Sequence, residues 1–173
     1  MLLRPFSFAL MLWVAGCATS PYVGQEARTI KTLSEKETAD LLAGAGMGLA
    51  KAAELNGYPG PMHVLELSSQ LALSPSQLSA VEATLKTHKA EARALGMEVV
   101  TLEQELNRLF ANKQASAAQV DALTERLAAA SGRLRASHLK AHVTITSVLT
   151  PEQVAKYAEL RGYSGAGKSG HHS

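Results

Sequence analysis

The chain has 173 residues, enough for one domain of ordinary size, with 17 basic and 15 acidic side chains and a formal charge of +2. Hydrophobic residues make up 46% but aromatics only 5%, and alanine and leucine dominate, a balance that favours helix over a sandwich or barrel. The basic residues are scattered rather than gathered into a patch or stripe, which argues against nucleic acid as a partner.

The first residues read as an export signal. Arg4 supplies a short positive segment, and Phe6 to Ala15 form an apolar core of the length a signal peptide uses. That core is too short to cross a bilayer as a mature helix. It ends Val14-Ala15-Gly16-Cys17, which resembles the lipobox of bacterial lipoproteins. The resemblance implies removal of residues 1–16 and acylation of Cys17. Ala18 stands where an aspartate would retain such a protein at the inner membrane, so the expected location is the periplasmic face of the outer membrane. Cys17 is the only cysteine, so the mature chain can form no internal disulfide and has no spare thiol for catalysis.

Residues 17–32 have mixed composition and read as a tether between the lipid and a folded domain over 33–163. Ser34-Glu35-Lys36-Glu37 is a capping box that predicts a helix from there to about Asn56. That helix would contain Gly44, Gly46 and Gly48, which cost stability but permit close packing. Gly57-Tyr58-Pro59-Gly60-Pro61 breaks the chain. A short helix is expected from Met62 to Leu71.

Ser74-Pro75-Ser76-Gln77 opens a long helix with proline at its first position and glutamine completing a capping box. Ser116 to Gln119 repeats the box, as does Thr150 to Gln153. From Leu78 through Val81, Leu85, His88, Ala92, Leu95, Val99, Leu102 and Leu106 to Leu109, seam residues recur in steps of three and four. The partner seam runs Val120, Leu123, Leu127, Ala130, Leu134, His138 or Ala141, Ile145 and Val148. The connection over 113–115 is short, so the two helices are antiparallel neighbours. The expected fold is all-α: a long antiparallel helical hairpin with flanking shorter helices. A lone hairpin buries too little surface, so flanking helices or a second chain should cover it.

Two Leu-Ser/Thr-x-x-Gln motifs, at Leu73–Gln77 and Leu149–Gln153, bracket this hairpin behind an export signal. The arrangement resembles the Spy/CpxP family of periplasmic proteins over about 62–163. The resemblance implies a curved antiparallel homodimer, a four-helix cradle. It further implies work in envelope stress, either ATP-independent chaperoning of unfolded proteins or handling of zinc, nickel, cobalt or copper. The lipid signal and the Gly44–Gly48 helix depart from the soluble chaperone members.

Gly162 to Ser169 matches the phosphate-binding loop pattern letter for letter, but a helix precedes it and only four residues follow. The mechanism needs a strand before and a helix after, so residues 164–173 are read as a flexible tail. No nucleophile arrangement, serine elbow or zinc-protease motif is present, and the protein is not expected to be an enzyme.

The histidines are the one chemical signal. His138 and His142 are four apart on a helix and share a face, a spacing that suits one metal ion. His88 takes a seam position otherwise held by Leu, Val or Ala, and a hairpin turning near 113–114 sets it opposite His138. His63, on the short helix before the first motif, is a further candidate ligand, and His171-His172 in the tail a weaker one. The expected metal is a divalent transition ion. The leading expectation is a lipid-anchored accessory protein for envelope stress or heavy-metal tolerance that acts by binding. A pure chaperone would instead use exposed apolar residues off the seam, Met97, Val100 and Phe110. A structural envelope lipoprotein without ligand is the third reading.

Overall fold

The structure, a computed structural model, describes residues 19–163, and its regular elements there are all helices. Their starts are set by local chemistry. Ser34, Ser74, Ser116 and Thr150 each accept a hydrogen bond from the backbone N–H three residues on, and Glu37, Gln77, Gln119 and Gln153 reach back to the cap backbone. These four boxes open α1 (Glu35–Ala43), α4 (Pro75–Ala111), α5 (Ala117–Val148) and α6 (Pro151–Leu160). Two short helices, α2 (Lys51–Glu54) and α3 (Pro61–Glu66), lie between α1 and α4.

The 37 residues of α4 span about 55 Å at 1.5 Å per residue. The chain reverses over 112–116, with Lys113 at φ +55°, and α5 returns along α4. Near the tip Arg126 pairs with Glu105 at 3.3 Å, and midway Arg133 pairs with Glu98 at 2.6 Å. At the open end Gln77 Nε2 donates to the Val148 carbonyl at 3.0 Å. No residue of the predicted seams is exposed.

The core divides in two along the hairpin. The tip-side cluster joins Ile30 and Leu41 to Ala92, Val99, Val100, Leu102, Ala130 and Leu134. The open-end cluster joins Val64 and Leu71 to Val81, Ile145, Leu149 and Tyr157. His88, Ser137 and His138 fall between the two in the order of the helices.

Several local expectations change. The first helix does not reach Asn56: it ends at Ala43, capped by Gly44 at φ +63°, whose N–H meets the Asp40 and Leu41 carbonyls. Residues 45–50 are turns, with Met47 at φ +44° and Gly48 at φ +74°. Three glycines in five residues make helix too costly, at about 1 kcal/mol each, and left-handed turns are nearly free for glycine. Met47 lacks that freedom, and its backbone costs roughly 1–2 kcal/mol. The glycine that brings helices together is instead Gly96 of α4: a Cβ there would collide with the Leu41 carbonyl of α1. The short helix before the first motif is α3, which stops at Glu66 rather than Leu71, the chain turning over 67–72 with Ala72 at φ +49°.

Of the three apolar residues off the seam, open to either a solvent-facing groove or packing on the N-terminal helix, Met97 and Phe110 are 60% and 57% exposed, whereas Val100 is buried. α1 and the segment before it cover that side of α4. Within the stretch expected to act as tether, Ile30 is 4% exposed. Its neighbours are laced to α4: Asn107 donates to the Thr29 carbonyl at 3.2 Å and accepts from Lys31 N–H at 3.3 Å, and Thr32 donates to Glu103 at 2.6 Å.

The paired motifs do more than cap. The side-chain amides of Gln77 and Gln153 exchange hydrogen bonds of 2.7 and 3.2 Å, and Gln153 also donates to the Leu71 carbonyl at 3.1 Å. Among the described residues no helix is long and apolar enough to cross a membrane. Residues 1–16, Cys17 and the tail over 164–173 lie outside the described residues, as do all but the first two positions of the phosphate-loop-like run.

Candidate metal site

Between the two apolar clusters the α4–α5 interface turns polar. The rings of His88 and His138 meet edge to face, with centroids 4.5 Å apart. His138 is 4% exposed, and its Nε2 is buried without a hydrogen-bond partner. Burial pushes its imidazole down to about 4, and the neighbouring His88 and His142 push the same way. Burial also lowers His88, partly opposed by the Glu91 carboxylate. Both rings are therefore neutral at pH 7, the form that ligates metal.

The hydrogen bonds set which nitrogen is free. Ser137 Oγ donates its single proton to Glu91 Oε2 at 2.9 Å, so it must accept from His88 Nδ1–H, 3.2 Å away. His142 Nδ1 lies 2.7 Å from the Tyr58 carbonyl, which can only accept. Each of these imidazoles thus holds a proton on Nδ1, which leaves Nε2 as the nitrogen a metal could take. Anchoring one ring nitrogen on a carbonyl or a carboxylate-backed hydroxyl is how metal-ligating histidines are usually oriented.

Gly60 allows the Tyr58–Pro61 segment to lie on His142: a Cβ at Gly60 would sit 2.9 Å from the ring's Cε1. Beside it, Glu54 of α2 is the hub of a second cluster. Its Oε1 accepts from Tyr157 at 2.6 Å and Tyr163 at 3.0 Å, and Arg161 Nε stands 3.5 Å away. Its Oε2 is buried with no hydrogen-bond partner, 3.6 Å from His142 Nδ1. Desolvation and this carboxylate together raise the Tyr157 phenol well above its ordinary value.

These groups open onto one pocket of about 590 Å³, walled by the 43–48 turn, α2, the start of α3 and the hairpin. His63, His88, His138 and His142 all line it. They do not converge equally. His63 engages its Nδ1 with Glu66 at 2.8 Å. As the side chains stand, no group of three or more His, Cys, Asp or Glu residues among those described is close enough to hold one ion. The donor chemistry nonetheless fits a transition metal: imidazoles, an unpartnered His138 Nε2 and an unpartnered Glu54 oxygen among the residues that line one pocket. Rotation of side chains would be needed to close the shell.

Sequence reasoning missed Glu54, Glu91, Ser137 and the Tyr58 carbonyl. Glu91 follows His88 by three residues and Ser137 adjoins His138, so the hairpin register could have paired them. Glu54 carries no such signal, because its position depends on turns that periodicity does not encode. His171 and His172 lie outside the described residues.

A family model described as heavy-metal resistance matches residues 41–156, from within α1 to within α6. No curated protein matches the chain. No solved structure matches it either.

Proposed function

The chain belongs to the heavy-metal-resistance family, a Spy/CpxP-like helical family, and from that premise we propose that it is an accessory protein that captures a transition-metal ion in the histidine pocket, without catalysis. The observation that carries the reading is the set of imidazoles lining one pocket: His88 and His142 with Nδ1 bound to Ser137 and to the Tyr58 carbonyl, and His138 Nε2 buried without a partner. Such nitrogens suit Zn²⁺, Ni²⁺, Co²⁺ or copper, with Glu54 as the carboxylate lining the pocket. His63 would join only after leaving Glu66. Equilibrium dialysis at pH 7 tests this. His138→Ala with His142→Ala should remove stoichiometric binding, and removal of residues 164–173 should not. Loss of binding on removing the tail alone would transfer the site to His171-His172.

The proposed setting is the periplasmic face of the outer membrane, with the lipid on Cys17 and residues 1–16 removed. Val14–Cys17 directly after an apolar core supports it. Cys17→Ser should abolish incorporation of labelled palmitate while leaving the helical spectrum intact. Unchanged labelling would sink the lipid assignment.

A chaperone reading keeps one specific support. Met97 and Phe110 are large apolar side chains left in solvent on α4. They would meet unfolded chains or the second protomer of a homodimer. Met97→Ser with Phe110→Ser should reduce suppression of aggregation of a denatured test protein; equal suppression by the variant would refute this surface.

A further inference from the structure

Two sulfur donors line the same pocket as the imidazoles. Met47 and Met62 both line it with His63, His138 and His142. Both keep a large share of their surface open to solvent, Met47 at 43% and Met62 at 48% exposed. Met47 also sits at φ +44°, in a turn whose other left-handed positions, Gly44 and Gly48, are glycines. Glycine or asparagine would relieve that strain, so the backbone gives no reason for methionine. Strain kept at a pocket lining by a side chain that stays partly in solvent points to a use for the side chain itself. A thioether is neutral, needs no deprotonation and favours soft ions.

The charge on the wall points the same way. Lys51, Lys89 and Arg161 line the pocket against one carboxylate, Glu54. A doubly charged ion entering beside three cations is repelled twice as strongly as a singly charged one.

We infer that the ion this pocket takes is soft and monovalent, Cu(I) or Ag(I), held by the thioethers of Met47 and Met62 together with an imidazole of His138 or His142. This rests on the metal-binding reading above and specifies its cargo.

The test uses the full chain carrying Cys17→Ser, so that no thiol competes, titrated anaerobically with Cu(I) against a chromophoric chelator and separately with Zn²⁺. Met47→Leu with Met62→Leu keeps side-chain volume and leaves the fold intact, checked by circular dichroism. Losing even a supporting group around a metal typically costs 10–100-fold, so the double variant should bind Cu(I) at least about tenfold more weakly and Zn²⁺ within about twofold of the parent. X-ray absorption should find sulfur bound to Cu(I) in the parent and less of it in the variant. Equal Cu(I) affinity, or a copper shell without sulfur, overturns the soft-ion assignment. If Zn²⁺ then still binds and His138→Ala with His142→Ala removes it, the metal-binding reading survives alone. If neither ion binds the parent, both fall.

Discussion

His138 occupies a leucine-type position with a neutral ring, and the consequence is a pH-dependent stability. Its folded value of about 4 lies below the ordinary 6.5. As pH falls through 6.5 the unfolded chain takes up a proton that the folded chain refuses until about 4. The contribution of the neutral ring is therefore complete above the unfolded value and is lost progressively as pH falls toward the folded one. At 1.36 kcal/mol per pH unit the loss approaches about 3 kcal/mol. His88, shifted in the same direction, adds to the slope. Urea unfolding of the metal-free protein at pH 7 and pH 5 checks this, with His138→Leu expected to flatten the difference. An identical difference in the variant would show that His138 is not its source.

At the level of elements, the three glutamine boxes look alike in sequence but differ in reach. Gln119 serves only its cap at Ser116, whereas Gln77 and Gln153 also bond to each other and to the Val148 and Leu71 carbonyls. Gln119→Ala should cost under about 1 kcal/mol. Gln153→Ala should cost about 1–3 kcal/mol, because it leaves partly buried groups unpaired. Equal costs by thermal unfolding would mean that the cross-helix amide pair adds nothing. Gly96→Ala should be worse than a surface helix substitution, by about 1–3 kcal/mol, since α1 must move off α4.

The long elements were legible because their signals are local: caps fix the starts of α4, α5 and α6, and the three-four rhythm fixes which face is buried. That rhythm set His88 opposite His138. The Gly44–Gly48 segment was not legible. Its helical start signal at Ser34 is sound, but nothing periodic says where glycine will choose a left-handed turn over a costly helix. The pocket inherits that gap, because its lining at Met47 comes from a turn and that at Glu54 from α2, whose placement depends on the turns around it. Periodicity leaves Val100 open between solvent and packing on the N-terminal helix for a related reason: its cover, Ile30 and Leu41, comes from a segment whose docking no seam announces.

At the scale of the whole molecule, the segment before α1 belongs to the folded body. Ile30→Ala should destabilise it by about 2–5 kcal/mol, the range for emptying a core site, and an unchanged denaturation midpoint would show that this segment is not part of the cooperative unit. Its lacing to Glu103 and Asn107 also fixes where the chain enters: on the tip half of the hairpin, 15 to 19 residues beyond His88 along α4 and so roughly 25 Å from the histidines. Thr29 is the twelfth residue after Cys17, a leash of at most about 40 Å. A lipid on Cys17 would therefore moor the protein by its tip, like a boat tied at the bow, with the pocket swinging on the outboard side. In that posture ions would reach the pocket from the open compartment without first crossing the crowded headgroup layer.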